Sequence, residues 1–316
     1  MPGVTRRTRA NLMLLVASAI WGFAFAFQVL GTSVGAFTFN ATRFLLGAAS
    51  LLPLIAWQDR RAGHSATARR DRWRATVGPG LLCGALLFGG SSLQQVALND
   101  TTAGNAAFVT GLYVVLVPLV GIALGHRSRP VIWGGAALAV AGLYLLTMAG
   151  RAASINPGDA LCLVSTLFWT AHILVIGRFS RRYDPLRLAA TQFVANSLYA
   201  AAAALVFEPA PFQGLLGVLV PIVYAGVLSV GGGYTLQVLA QRDALESHAA
   251  LIMSLEAVFG AIGGALLLGE RMTGSGYLGA AFMLAGILLS QLPARGQPDA
   301  PAIPVPEPPS TALEDA

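Results

Sequence analysis

The chain contains no lysine, only two cysteines and little charge of either sign: Asp, Glu, Lys and Arg make up 11% of its 316 residues. Soluble domains carry about 25% charged residues. A chain this poor in charge, 55% hydrophobic and with a mean hydropathy of +0.67, reads as an integral membrane protein. Cys83 and Cys162 each lie in an apolar run, as small packing residues rather than a disulfide or a metal pair. The four histidines (His64, His126, His172, His248) show no metal-ligand spacing, and there is no P-loop. No cofactor is expected, and ATP-driven transport would need a separate partner. Two short matches fail on context. Gly31-Thr32-Ser33-Val34-Gly35 sits in a loop between apolar segments, and Gly274-Ser275-Gly276-Tyr277-Leu278-Gly279 lacks a preceding strand. No catalytic pair at one depth is found, so no enzyme is expected.

What is present is a series of apolar runs of spanning length, at about 11–30, 37–57, 76–98, 105–124, 131–149, 159–176, 186–207, 215–240, 247–268 and 277–292. The first reads as an uncleaved helix rather than a signal peptide. All 20 basic residues are arginines. With the amino terminus inside, Arg6, Arg7, Arg9, Arg60, Arg61, Arg69, Arg70, Arg72, Arg74, Arg127, Arg129, Arg178, Arg181, Arg182, Arg187, Arg242 and Arg295 fall on the cytoplasmic side. Arg151 and Arg271 fall outside, and Arg43 lies within a helix. This asymmetry predicts both termini in the cytoplasm. It also removes a nucleic-acid partner, because the arginines flank membrane ends.

The chain repeats itself. Gly89-Gly90-Ser91-Ser92-Leu93-Gln94-Gln95 aligns with Gly232-Gly233-Tyr234-Thr235-Leu236-Gln237-Val238, and Asn40-Ala41-Thr42-Arg43-Phe44 with Ala189-Ala190-Thr191-Gln192-Phe193. Trp21 has Trp169 as its counterpart. Gly125, Arg127, Gly135 and Gly142 meet Gly269, Arg271, Gly279 and Gly286. Five helices per copy force the second copy to enter the membrane upside down. The expectation is an all-α membrane protein of ten transmembrane helices in two inverted five-helix repeats, the pattern of alternating-access transporters. The divisions are a cytoplasmic N-terminus (1–10), the first repeat (11–149), a connecting loop (150–158), the second repeat (159–292) and a disordered Pro-rich cytoplasmic tail (293–316).

The run SHAALIMSLEAVFGAIGGALLL, residues 247–268, carries a carboxylate, Glu256, near its middle. A carboxylate at that depth costs several kcal/mol unless it faces a polar cavity or a partner. Helical spacing puts His248, Ile252, Glu256, Gly260 and Gly263 on one broad face. Glu256 reads either as a group that binds a cationic or amino function or exchanges a proton, or as a structural carboxylate hydrogen-bonded to a neighbour. Its repeat counterpart is Tyr113, so no symmetric pair of acids exists. Trp21 and Gln28 share a face of helix 1, and Trp169 and His172 lie in helix 6. Asn105, Thr110 and Tyr113 form a polar face of helix 4; any of these reads equally as packing. Gln94 and Gln237 occupy equivalent positions, expected near opposite mouths, either as gating residues or as interhelical glue. The glycines before them, Gly89-Gly90 and Gly231-Gly232-Gly233, loosen their helices. Arg43, a turn or two inside helix 2 near its outer end, reads either as a group that binds an anionic substrate or as a side chain that reaches toward the headgroups.

With Ser254-Leu255-Glu256 followed by Leu268-Gly269-Glu270-Arg271, the chain over 11–292 resembles the EamA-type branch of the drug/metabolite transporter superfamily. The resemblance implies a cavity lined by helices 1, 3, 4, 6, 8 and 9, and a small-molecule substrate. It implies secondary transport of a small polar metabolite, such as an amino acid moved outward, across the inner (plasma) membrane. The alternative is a channel for small solutes. Cavity residues are then Glu256, Tyr113, Trp21, Gln28, Asn105, Trp169, His172 and His248. Beyond the lipid bilayer no partner is implied, and monomer and homodimer stay open. Two departures stand out: His126 where the first repeat often has Glu, and Ala257 where the family often has Pro. The second leaves helix 9 straighter.

Overall fold

The computed structural model describes residues 6–101, 106, 109–125, 130–147, 157–267, 269, 271 and 273–291. Among them, all regular structure is helical. The helices are α1 (Arg6–Leu30), α2 (Ala36–Arg61), α3 (Ala66–Ala97), α4 (Tyr113–Ala123), α5 (Pro130–Thr147), α6 (Pro157–Phe179) and α7 (Pro185–Phe207). They continue as α8 (Leu215–Gln241), α9 (Glu246–Leu267) and α10 (Gly274–Gln291). Of these, 7 are long and apolar enough to cross a membrane: α1, α2, α3, α6, α7, α8 and α9. α4, α5 and α10 are shorter apolar helices.

The distribution of side chains inverts that of a soluble protein. On α7, Leu205 and Phe207 are 68% and 72% exposed, while Gln192 and Asn196 are fully buried. Lipid accepts the apolar face, and the interior gathers the polar groups that lipid cannot satisfy. Helix α3 begins ten residues earlier than its apolar run predicts. Ser65 caps it, its hydroxyl accepting from the Ala68 N–H at 3.1 Å. The arginine-bearing first turns then continue the helix past its apolar part.

Three helices depart from regular α geometry where they face the interior. The middle of α8, Tyr224–Tyr234, is a π-helix that includes the Gly231–Gly233 run. Helix α9 breaks at Ser254-Leu255, so the absence of Pro after Glu256 does not leave it straight. Ser254 Oγ bonds back to the Leu251 carbonyl at 2.8 Å, and Leu255 N–H and Ala257 N–H bond three residues back instead of four. The same kind of break, at Leu112, comes just before Tyr113 and opens α4. The breaks thus fall at matching places in the two copies.

Contacts between the copies come in exchanged pairs. A Cβ on Gly135 would lie 2.8 Å from the Gly286 carbonyl oxygen, and one on Gly286 would lie 2.6 Å from that of Gly135. Gly142 and Gly279 meet in the same way, at 2.5 Å each. Only glycine permits this approach of α5 to α10. Phe44 and its counterpart Phe193 touch, ring centroids 6.2 Å apart.

The register that aligns Phe44 with Phe193 also aligns Thr38 with Arg187 and Asp59 with Glu208. Glu208 accepts from the Phe37 N–H at 2.7 Å and the Thr38 hydroxyl at 2.5 Å, closing the start of α2. Asp59 accepts from fully buried Arg187 near the start of α7, at 2.5 and 2.7 Å. This second end is ionic throughout. Asp184 caps α7 through the Arg187 N–H at 3.0 Å and takes Arg187 and Arg72 at 2.8 and 2.7 Å. Burial alone would raise the Asp184 carboxyl, but the Arg187 N–H and Arg72 outweigh it and hold it below the usual carboxylate range. Arg72, read from the sequence as a topology signal, thus also ties α3 to α7.

Candidate functional site

The copies meet around one interior cavity. It is lined by Trp21, Phe25, Gln28, Arg43, Gln94, Thr110, Tyr113, Trp169, Ile173, Ser229, Tyr234, Gln237, Met253 and Glu256. Its free space, open mouth included, is about 560 Å³. Seven of the sequence-predicted residues come together here: Glu256, Tyr113, Trp21, Gln28, Trp169, Gln94 and Gln237. Asn105 lies outside the described residues.

Glu256 is 8% exposed and opens the second half of α9. The Tyr113 hydroxyl donates to its Oε1 at 3.1 Å. The two residues that the repeat makes equivalent therefore touch each other across the copies. Glycine again sets the approach, since a Cβ on Gly22 of α1 would fall 2.7 Å from the Glu256 carbonyl oxygen. The carboxylate retains acceptor capacity toward the cavity.

The aromatic wall is built on Tyr234. Its ring stacks on Trp169 (6.2 Å, interplanar angle 14°) and packs against Trp21 at 4.7 Å. The repeat gives no reason to single out Tyr234, because its counterpart in the aligned run is Ser91. An aromatic directly after three glycines at a helix interior is the signal that was there. The two tryptophans seat against equivalent glycines: a Cβ on Gly90 would meet the Trp169 ring at 2.9 Å, and one on Gly233 the Trp21 Nε1 at 2.5 Å.

The polar groups are paired unequally. Trp169 Nε1 donates to Gln94 Oε1 at 3.2 Å. Trp21 Nε1 donates instead to the Ser229 carbonyl at 3.2 Å, within the π-helical turn of α8. Gln237, the counterpart of Gln94, is left with a buried Oε1 that has no partner among the described residues. Gln94 Nε2 reaches Gln28 Oε1 only loosely, at 3.5 Å. Depth predicted Gln94 and Gln237 at opposite mouths; both line the same cavity, because their long side chains point inward.

Two predicted residues lie elsewhere. His172 is fully buried, bonds Gln192 Oε1 at 2.9 Å and touches Tyr234 edge-on, but does not line the cavity. His248 is buried, 5% exposed, on the first half of α9 and is likewise not among the lining residues. Both share a helix with cavity residues but not their face.

Arg43 departs from the reading in which it reaches the headgroups. Instead of reaching the headgroups it is 3% exposed and lines the cavity. Its Nε donates to Asn40 Oδ1 at 2.7 Å, and its guanidinium carbon lies 5.5 and 5.1 Å from the centroids of Phe39 and Phe44. The flanking aromatics and Asn40 hold the side chain inward where the lipid face would have drawn it out.

Comparison with known proteins agrees with this architecture. The EamA-like transporter family matches twice, over residues 8–148 and 156–292. The chain belongs to that family and is a multi-pass membrane transporter protein. An uncharacterized transporter of Archaeoglobus fulgidus is 30% identical over 291 residues, covering 91% of this chain and 87% of the relative. The threonine/homoserine exporter RhtA of Escherichia coli K12 is 28% identical over 305 residues, covering 93% and 96%. RhtA of Salmonella typhimurium LT2 is also 28% identical, over 308 residues. A solved crystal structure with 19% identity matches at a TM-score of 0.73 over 90% of this chain and 97% of its own. That likeness concerns the fold.

Proposed function

We propose that the chain is a secondary active transporter that moves a small amino acid outward across the inner (plasma) membrane by alternating access. In this reading ten helices cross the bilayer as two inverted five-helix repeats, 11–149 and 159–292, with both termini cytoplasmic. The observation that carries it is the exchange of contacts around one cavity: Gly135 with Gly286 and Gly142 with Gly279, Tyr113 with Glu256, and Gly90–Trp169 beside Gly233–Trp21. Such reciprocity is what a two-fold relation between copies generates. Running the axis between Tyr113 and Glu256 puts the cavity on it, where carriers of this architecture bind substrate.

The unequal indole pairing supplies the two states. With Trp169 on Gln94 and Trp21 released to Ser229, the copies differ in conformation, and the equivalent state has Trp21 on Gln237 and Trp169 released. Gln94 and Gln237 then act in turn as gating residues. Glu256, Tyr113, Trp21, Gln28 and Trp169 meet the substrate. The two RhtA relatives, threonine/homoserine exporters, support an amino-acid substrate.

Counterflow in proteoliposomes tests the reading. Saturable exchange of labelled L-threonine against unlabelled amino acid is expected, accelerated by substrate on the far side. Conduction above about 10⁵ solutes per second would instead identify a channel, because opening and closing of whole repeats takes microseconds to milliseconds.

A further inference from the structure

The charges in the cavity do not obey the repeat. Arg43 comes from the first copy, and its counterpart Gln192 is bonded to His172 away from the cavity lining. Glu256 comes from the second copy, and its counterpart Tyr113 gives its hydroxyl to Glu256 itself. Among the described lining residues each sign therefore occurs once, on opposite sides of the interface. The two are not paired with each other: no N–O distance between Arg43 and any carboxylate falls within 4.0 Å among the described residues. A guanidinium that is 3% exposed and has no counter-ion is an expensive thing to keep unless a ligand completes it.

Its presentation is built. Ser92 Oγ accepts from Asn40 Nδ2 at 3.2 Å, and Asn40 Oδ1 accepts from Arg43 Nε at 2.7 Å. This chain fixes the plane of the guanidinium while its terminal nitrogens keep no protein partner among the described residues. A planar fork with free N–H groups matches a carboxylate in a two-point contact.

We infer that Arg43 is the carboxylate anchor of the site, so that an α-amino acid lies at the repeat interface with its carboxylate on Arg43. Gln237 Oε1, unpartnered in the same cavity, is an acceptor for an N–H or O–H of the same ligand. The inference rests on the amino-acid reading above and adds what selects the zwitterion over an amine. Neither lysine nor glutamine at position 43 reproduces the fork, and the second repeat holds no substitute cation in the cavity.

Thermal protection of the purified protein, read with amino acids and their carboxamides, tests this with no need for transport. For the wild type, L-threonine is expected to protect at a concentration about tenfold or more below that of L-threoninamide, as the loss of a charge-assisted pair predicts. Arg43→Gln, in detergent-stable monodisperse form, should bring threonine to the level of the amide and leave the amide unchanged. Arg43→Lys, which keeps the charge, should recover part of the preference and guards against misfolding of the glutamine variant. Equal protection by acid and amide in the wild type overturns the anchor and leaves amino-acid transport standing. So does a fall in both ligands together in Arg43→Gln with Arg43→Lys indistinguishable from wild type. Failure of every one of the twenty amino acids to protect the wild type overturns the amino-acid reading and the anchor with it.

Discussion

Trp169 and Trp21 sit against equivalent glycines, yet one indole donates to a glutamine side chain and the other to a backbone carbonyl. The same contrast runs through the two halves. Where they pack against each other, at Gly135–Gly286, Gly142–Gly279 and Phe44–Phe193, counterparts behave alike. Where they face the cavity or the ends of α2 and α7, counterparts differ: Tyr113 against Glu256, Gln192 against Arg43, Thr38 against Arg187. Packing keeps the symmetry because the interface must fit itself. In the proposed carrier, chemistry departs from it because a small asymmetric solute offers different groups to the two sides.

The largest expected effect breaks the shared part. Gly142→Val and Gly279→Val should each lower stability by about 3 kcal/mol or more, because a Cβ at either would meet backbone at 2.5 Å. The two losses should agree, because the substitutions crowd the two sides of one contact. Gly78→Ala, inside α3 with open space around it, should not lower the melting temperature.

Next come the unequal parts. Glu256→Gln should reduce exchange about tenfold or more while the protein stays folded, since a hydrogen bond to a charged group contributes about 1.5–3 kcal/mol. Tyr113→Phe removes one donor to that carboxylate but leaves the carboxylate itself to meet the ligand, so its loss of exchange should be smaller than that of Glu256→Gln. If Tyr113→Phe matched Glu256→Gln, the division between the halves would be blurred. Trp169→Phe should act on the balance of states by about 1 kcal/mol, freeing Gln94, whereas Trp21→Phe frees only a backbone carbonyl and should act less. Initial rates measured from each side of oriented vesicles distinguish them.

The smallest effect lies at the ionic end. The Asp184 carboxyl is held below its unfolded value, so its contribution is complete above about pH 4 and is lost as pH falls through the lower folded value. Asp184→Asn should remove this acid limb from a plot of melting temperature against pH.

Much of this was legible in the chain. Apolar runs gave the helices, the repeat gave counterparts, and the anomalous carboxylate gave Glu256. The glycines before Gln237 announced the loosened α8. What was not legible depends on how side chains turn. Helical spacing gave His248 the same face as Glu256, but the break at Ser254-Leu255 rotates one half of α9 against the other. Arg43 looked like a residue that reaches headgroups, because nothing in sequence says that Asn40 and two phenylalanines hold it inward. Gln94 and Gln237 were placed by depth alone, and their reach into one cavity follows from rotamers.

The central claim is that the two halves exchange conformations around one cavity. It is tested most directly by single cysteines at Gln94 and Gln237 in a background without Cys83 and Cys162, labelled by a membrane-impermeant thiol reagent from either side. Alternating access predicts that both positions, which line one cavity, respond together: an added amino acid that shifts the balance lowers their labelling from one side and raises it from the other. Simultaneous labelling of both positions from both sides, unmoved by any amino acid, would contradict it.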